Sequence, residues 1–297
     1  MGHAEQPSFF DEPAGSSCDQ GSLRFGTSSF SSTDWVGPFY PRRLKPAAFL
    51  KYYATQFSTV EIDATYYHIP APSTVDAWVH KTPESFTIAA KFPRSIVHGG
   101  ASAEPDANRV LQPDVTYPER DAFLEVMSRL GKRLGPLLLQ FPHFHSESIG
   151  GAGGFRERLD RFLEDFPASF QIAVEVRNAE WLDETFAKLL HRHGATPVLV
   201  DRVRMPHGAA VSHLLQADKA AFGYIRLLGD RGRIEQITTT WDREVIDWGA
   251  HLERWAEYLA RLAQRNTPTF VFANNHYAGH GPSTIRRLAK LVRAKRT

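Results

Sequence analysis

The sequence predicts a single (β/α)8 barrel of the TIM type. Eight short apolar or β-branched runs alternate with amphipathic helical patterns along 297 residues, which suits a fold that typically takes ~250 residues. The links from helix to strand are short, whereas several links from strand to helix are long. A doubly wound open sheet also alternates strand and helix, but no Gly-rich turn follows the first run. Residues 22–297 are therefore expected to form one barrel domain, and residues 1–21, which mix Gly, Ser, Pro and acids without periodicity, a flexible tail.

The predicted strands are Leu23–Thr27, Thr59–Asp63, Phe86–Phe92, Pro136–Phe141, Phe170–Arg177, Pro197–Asp201, Phe222–Leu228 and Thr269–Asn274. Pro46 opens a helix to about Gln56, and Pro72 one to about Lys81, both using proline where a first turn tolerates it. Glu119–Leu130 ends at Gly131, a residue suited to the left-handed cap. Phe155–Phe166 is stopped by Pro167, and Asp183–His193 by Gly194. Trp241–Arg265 is the longest pattern, with Trp241, Trp248 and Trp255 on one stripe, and Ser283–Arg296 closes the chain. The helix after Asp201 is poorly written.

Composition removes several classes of function. The single cysteine, Cys18, excludes a disulfide framework and a four-cysteine zinc site. A formal net charge of +2 is too balanced for a chain that lives on nucleic-acid charge alone. No apolar run approaches the ~20 residues of a membrane span, and the first twenty residues lack a secretory pattern. The expected location is cytoplasmic, with no membrane partner. No cofactor follows from the sequence.

Charged and amide residues recur at the strand C-termini, where barrel active sites sit. They are Glu61, Lys91, Gln140, Glu175, Arg177, Asp201, Arg226 and the pair Asn274-Asn275. Period-two alternation sets Glu61 and Lys91 opposite their apolar neighbours and puts Glu175 and Arg177 on one face, so these side chains are expected in the barrel mouth. Three acids and three bases are expected to share one pocket. Glu61, Lys91, Glu175 and Asp201 are the candidate catalytic residues: carboxylates for acid–base work, and Lys91 as a base or a fixed positive charge that the carboxylates keep protonated. Arg177 and Arg226 are suited to clamp a phosphate or carboxylate. The opposing reading is a structural ion-pair network, or a non-catalytic scaffold.

The segments Phe25-Gly26-Thr27-Ser28, Trp35 to Pro41, Val60 to Tyr67, Leu138 to Pro142, Glu175 to Trp181 and Phe270 to Asn275 resemble the YecE-like family, domain of unknown function 72. The resemblance covers the chain from about Leu23 onward and implies a TIM-type barrel, but no reaction. It implies that Glu61, Tyr66, Lys91, Gln140, Glu175, Arg177, Asp201, Arg226 and Asn274 line a pocket. Two positions depart from the pattern: Asp63 where Asn is expected, and Leu228 where His is expected.

Weaker signals complete the reading. Trp35, Phe39, Tyr40, Tyr66 and Tyr67 form an aromatic set at the first two strand ends; Trp35 and Tyr66 are the candidate ligand contacts among them, beside Gln140, Asn274 and Asn275. Thirteen histidines include His143/His145 and His276/His280, yet no motif converges three ligands, and no metal is assigned. Gly229 to Arg233 reads as a surface turn or a phosphate loop. The last helix carries Arg286, Arg287, Lys290, Arg293, Lys295 and Arg296, an expected solvated face with nucleic acid as the alternative partner. In the tail, Gln6, Phe9 and Phe10 are similar to short sliding-clamp-binding peptides. The favoured function is an enzyme or binder for a small sugar-like or phosphorylated molecule, with phosphodiester processing as its rival.

Overall fold

In the computed structural model, which describes residues 18–145 and 148–296, eight parallel strands form a nearly closed barrel wrapped by helices. The strands are β1 (Leu23–Thr27), β2 (Thr59–Ile62), β3 (Thr87–Lys91), β4 (Leu134–Gln140), β5 (Ile172–Glu175), β6 (Thr196–Arg202), β7 (Gly223–Gly229) and β8 (Thr269–Ala273). Their order around the sheet is β1-β8-β7-β6-β5-β4-β3-β2. Every predicted strand forms, and each ends within two residues of its expected position.

The main helices are α1 (Phe49–Gln56), α2 (Pro72–Lys81), α3 (Pro113–Ser128), α4 (Gly151–Glu164), α5 (Glu184–Arg192), α6 (Arg231–Ile237), α7 (Gly249–Gln264) and α8 (Gly281–Arg296). Alternation along the strands sorts the apolar residues into two layers. One lies between sheet and helices, and includes Val60, Ile62, Ile88, Leu137, Leu139, Val174 and Ile225. The other fills the barrel axis with Ala89, Leu138, Ala173, Val198, Val200, Tyr224, Phe270 and Phe272. Small residues on β3 and β5 make room for the large rings of β7 and β8, as close packing of a barrel axis requires.

The sheet's two ends meet at β1 and β2, and the Tyr53 hydroxyl spans the seam. It accepts from the Thr27 amide at 2.8 Å and donates to the Thr59 carbonyl at 3.2 Å. Gly26 allows the approach, because a Cβ there would collide with the Thr59 carbonyl.

Four expectations are corrected. The tail does not extend to residue 21: Gln20 is buried and bridges to Leu23, and Asp19 accepts from the Phe25 amide at 3.1 Å. The helix expected from Trp241 starts at Gly249, because the amides of Val245 and Ile246 bond to the Ala278 carbonyl instead of continuing a helix. Trp241 and Trp248 thus precede α7, and only Trp255 of the stripe lies within it. Helices α3 and α4 begin six and four residues before their predicted starts at Glu119 and Phe155. Pro118 inside α3 and the Gly-rich opening of α4 had the composition of loops. The expected turn at Gly229 to Arg233 is the capped start of α6, where the Asp230 side chain accepts from the Arg233 amide at 3.1 Å. After β6 only single helical turns form, at Gly208–Val211 and Ala217–Lys219, as the weak pattern implied. The segment containing Gln6, Phe9 and Phe10 lies outside the described residues.

Candidate functional site

Arg226 on β7 forms the floor of the barrel mouth. Its guanidinium donates to Glu61 Oε1 at 2.9 Å from Nη2, and to Glu175 Oε2 at 2.5 Å and Gln140 Oε1 at 3.0 Å from Nη1. The Tyr224 hydroxyl donates to Glu61 Oε2 at 2.7 Å, and Arg177 Nε lies 3.4 Å from Glu175 Oε1. Glu61, Glu175 and Arg226 are at most 2% exposed. Glu61, Gln140 and Glu175 come from at or next to the C-terminal ends of β2, β4 and β5, Arg226 from the middle of β7 with Tyr224 one inward position below it, and Arg177 from just past β5. Burial pushes the carboxyls of Glu61 and Glu175 up, but Arg226 with Lys91, and for Glu175 also Arg177, outweighs it and holds both below the usual range.

Above this floor opens a cavity of about 550 Å³, the size of a small-molecule site. Lys91, Arg177, Arg202, Arg226 and Arg231 line it, against the acids Asp63 and Asp230. Tyr66, Gln140, Leu228, Asn274 and His276 contribute the rest of its functional wall. An adjoining lobe of about 350 Å³ shares Tyr66, Gln140, Arg177 and Arg202 and adds His98, His143 and Arg204. Tyr66 is held by its hydroxyl, 2.7 Å from His98 Nε2, and Lys91 Nζ lies 5.7 Å from the Tyr66 ring centroid. Burial, together with Arg94 and Arg177, keeps His98 neutral, with its pKa lowered to about 4.

Most counter-charges in the cavity are already engaged. Arg226 is pinned by both buried carboxylates, and Arg231 bonds Glu235 at 2.8 Å. Among the described residues neither Lys91 nor Arg202 has a carboxylate within ion-pair distance. Burial lowers the Lys91 pKa to about 8, aided by the positive charge of Arg226 and opposed by Glu61, Asp63 and Glu175. Burial, aided by Arg226, thus outweighs the carboxylates that were expected to hold Lys91 firmly protonated. Asp63 is pushed up, chiefly by burial.

The six expected charges do not all share the pocket. Asp201 points out of the barrel, because β6 places Val198 and Val200 on the axis and the intervening residues against the helices. It accepts from Trp255 Nε1 at 3.2 Å and from the Tyr277 hydroxyl at 2.8 Å. Glu61 and Glu175 reach the floor but sit beneath Arg226 rather than on the cavity wall. Held ionised and out of reach, they are unsuited to the acid–base roles expected of them. Trp35 and Asn275 also miss the cavity: the buried Trp35 donates from Nε1 to Asn275 Oδ1 at 3.2 Å, which in turn accepts from the Gly281 amide. Tyr66, Lys91, Gln140, Arg177, Arg226 and Asn274 do line it.

Sequence reasoning missed Arg202, Arg231 and His276. Alternation through Val198 and Val200 already pointed Arg202 inward, but β6 is apolar on both faces and hides its parity. A register shift at Asp201/Arg202 against β7 accompanies the turn into the mouth. Arg231 opens α6 and His276 sits in a single helical turn, Asn275–Ala278, just after β8, both too near an element's start to carry a periodic signal. The basic residues of α8 are largely engaged: Arg287 and Lys295 pair with acids, Arg286 bonds Gln56, and Arg296 bonds the Gln20 carbonyl.

The family model "Protein of unknown function DUF72" matches residues 24–297, and so includes every cavity residue described above and all of the strands but Leu23, the first residue of β1. The chain belongs to the DUF72 family. This DUF72 chain is 27% identical to the UPF0759 protein YecE of Escherichia coli K12, over 80% of its own length and 84% of the relative's. It is 22% identical to the UPF0759 protein YunF of Bacillus subtilis, over 85% and 89% of the two chains. A crystal structure of a DUF72 protein from Thermotoga maritima superposes with a TM-score of 0.70 at 27% identity, covering 91% of this chain and 99% of that one. A glycoside hydrolase family 5 enzyme of Prevotella bryantii has the same barrel fold, with a TM-score of 0.52 at 10% identity. Both departures from the expected DUF72 pattern, Asp63 and Leu228, fall on the cavity wall. Among the described residues of this DUF72 barrel no helix is long and apolar enough to cross a membrane.

Proposed function

We propose that the barrel mouth binds a small, hydroxyl-rich anion, a carboxylate or phosphate, and that Lys91 exchanges a proton with it. The observation that carries this reading is the pair Lys91 and Arg202, facing one cavity and without a counter-ion among the described residues. A buried unpaired charge is costly, and a ligand anion would supply the missing partner. Arg202 and Arg177 form the clamp, and their planar heads suit two-point contact with an oxyanion. Gln140 and Asn274 offer neutral polar contacts, and Tyr66 a ring face, for the uncharged part of the ligand. With a pKa lowered to about 8, Lys91 can both hold and release a proton near neutral pH, as an acid–base group requires. Glu61 and Glu175 serve as positioning residues that fix Arg226 and so shape the field at Lys91.

Calorimetric titration of the whole chain with inorganic phosphate, a sugar phosphate, an aldonic acid and an uncharged sugar tests the reading. At least one anion is expected to bind, and Arg202→Gln is expected to weaken it by roughly 1.5–3 kcal/mol, the worth of a charged hydrogen bond. Binding of the uncharged sugar as tight as that of the anions, or full retention of anion binding in Arg202→Gln, would overturn it.

A further inference from the structure

Behind the mouth, on the outer face of β6, Asp201, His207 and His251 converge: one donor atom from each lies within 4.8 Å of the other two. We infer that these three residues bind a divalent transition-metal ion of the zinc type. His251 Nδ1 stands 3.1 Å from both carboxylate oxygens of Asp201, and His207 Nε2 stands 3.6 Å from Oδ2. Metal bonds of ~2.0–2.1 Å at a tetrahedral angle place donors about 3.3 Å apart, so both imidazoles already stand near the required spacing from the carboxylate, and within 4.8 Å of each other.

The second observation is His207 itself. Its side chain is 7% exposed, and both ring nitrogens are buried with no partner at hydrogen-bonding geometry among the described residues. An Asp201–His251 pair would satisfy His251 and leave His207 without a role; an ion gives the His207 ring its missing partner. The ring is brought there by tight packing. It lies 4.8 Å from the Trp255 ring, and the neighbouring Gly208 leaves no room for a Cβ beside Trp255 and the Val200 amide.

Asp201 is oriented as a metal carboxylate should be. Trp255 Nε1 and the Tyr277 hydroxyl both donate to Oδ2, the oxygen 3.6 Å from His207, and so hold the carboxylate facing the two imidazoles. Such outer donors fix a ligand and tune its basicity. Binding requires the Nδ1 lone pair of His251, which a neutral ring offers by carrying its one proton on Nε2. His251 is about one-third exposed, which opens a fourth position to solvent. None of the three residues lines the mouth cavity, and the ion would tie the weakly helical crossover after β6 to α7.

The test uses the full chain, stripped with a chelator and then titrated with Zn²⁺ by calorimetry and with Co²⁺ by visible absorption. One ion per chain and tetrahedral cobalt bands are expected. His207→Gln and His251→Gln are each expected to lose at least about tenfold in affinity, while melting like the wild type in chelator. X-ray absorption of the zinc-loaded wild type provides a readout independent of the variants: two imidazoles and one carboxylate oxygen are expected. Failure to bind, a different ligand set, or undiminished affinity in both variants would overturn the site.

Discussion

Arg226 shows how one residue sets the chemistry of its neighbours. Two carboxylates and an amide oxygen converge on its guanidinium, all four groups away from solvent. Removing one member of a buried ion network is far costlier than the network is stabilising, because the remaining charges lose their partner. Arg226→Met is therefore expected to lower the unfolding free energy by about 3–5 kcal/mol, and adding Glu61→Gln and Glu175→Gln to recover part of that loss. Urea denaturation of the single and triple variants measures both; an unaltered single variant would sink the account. Lys91 depends on the same arrangement. With Arg226 in place its amine should titrate near 8 rather than near 10.5. Reductive ¹³C-methylation followed by NMR reads that midpoint directly, and a value near 10.5 would show that the carboxylates prevail. The sequence supplied Lys91's inward direction through alternation. It supplied no measure of its environment, since the distance from Arg226 to each carboxylate is a product of three strands.

At the scale of elements, the seam between β1 and β2 is closed by a side chain on α1. Tyr53→Phe removes the hydroxyl that satisfies the buried Thr27 amide, and a loss of about 1–3 kcal/mol is expected. Gly26→Ala should destabilise too, since its methyl meets Thr59 backbone, whereas Gly37 has open space around a built Cβ but a φ of +107° that a side chain resists. Denaturant melts of Tyr53→Phe and Gly26→Ala check this, and wild-type stability in both would show that the seam is held by other contacts. Strands were legible because each is a short, buried apolar run bounded by loop residues. Helix starts were less so: the residues before Trp248 have a helical period, but their amides find partners on the loop after β8. The inward parity of β6 was illegible for a related reason, since both of its faces are apolar and only pairing with β7 distinguishes them.

Across the whole molecule, buried charge couples stability to pH at both ends of the range. Glu61 and Glu175 have lowered pKa values in the fold, so their contribution is present above about 4.5 and is lost as pH falls through the lower folded values. Lys91 works in the opposite direction: lowered from 10.5 to about 8, it burdens the fold below about 8. Between about 8 and 10.5 the folded chain has released this proton while the unfolded chain still holds it, so stability rises with pH. At 1.36 kcal/mol per unit the relief is about 3 kcal/mol. Unfolding free energies at pH 7, 8, 9 and 10 should therefore climb in the wild type relative to Lys91→Met, and parallel curves would refute the assignment. The sequence by itself determined the barrel, its eight strands and the end at which charge collects, because periodicity and loop length are local properties that survive without a partner. Tertiary structure alone decided which charges meet. Asp201 and Arg202 are adjacent in the chain, yet one faces the helices and the other the cavity. His207 and His251 lie far apart in sequence, yet a nitrogen of each comes within 4.8 Å of one carboxylate oxygen. Electrostatic interaction depends on distance and desolvation, and both are fixed only when separate strands and loops close on one another.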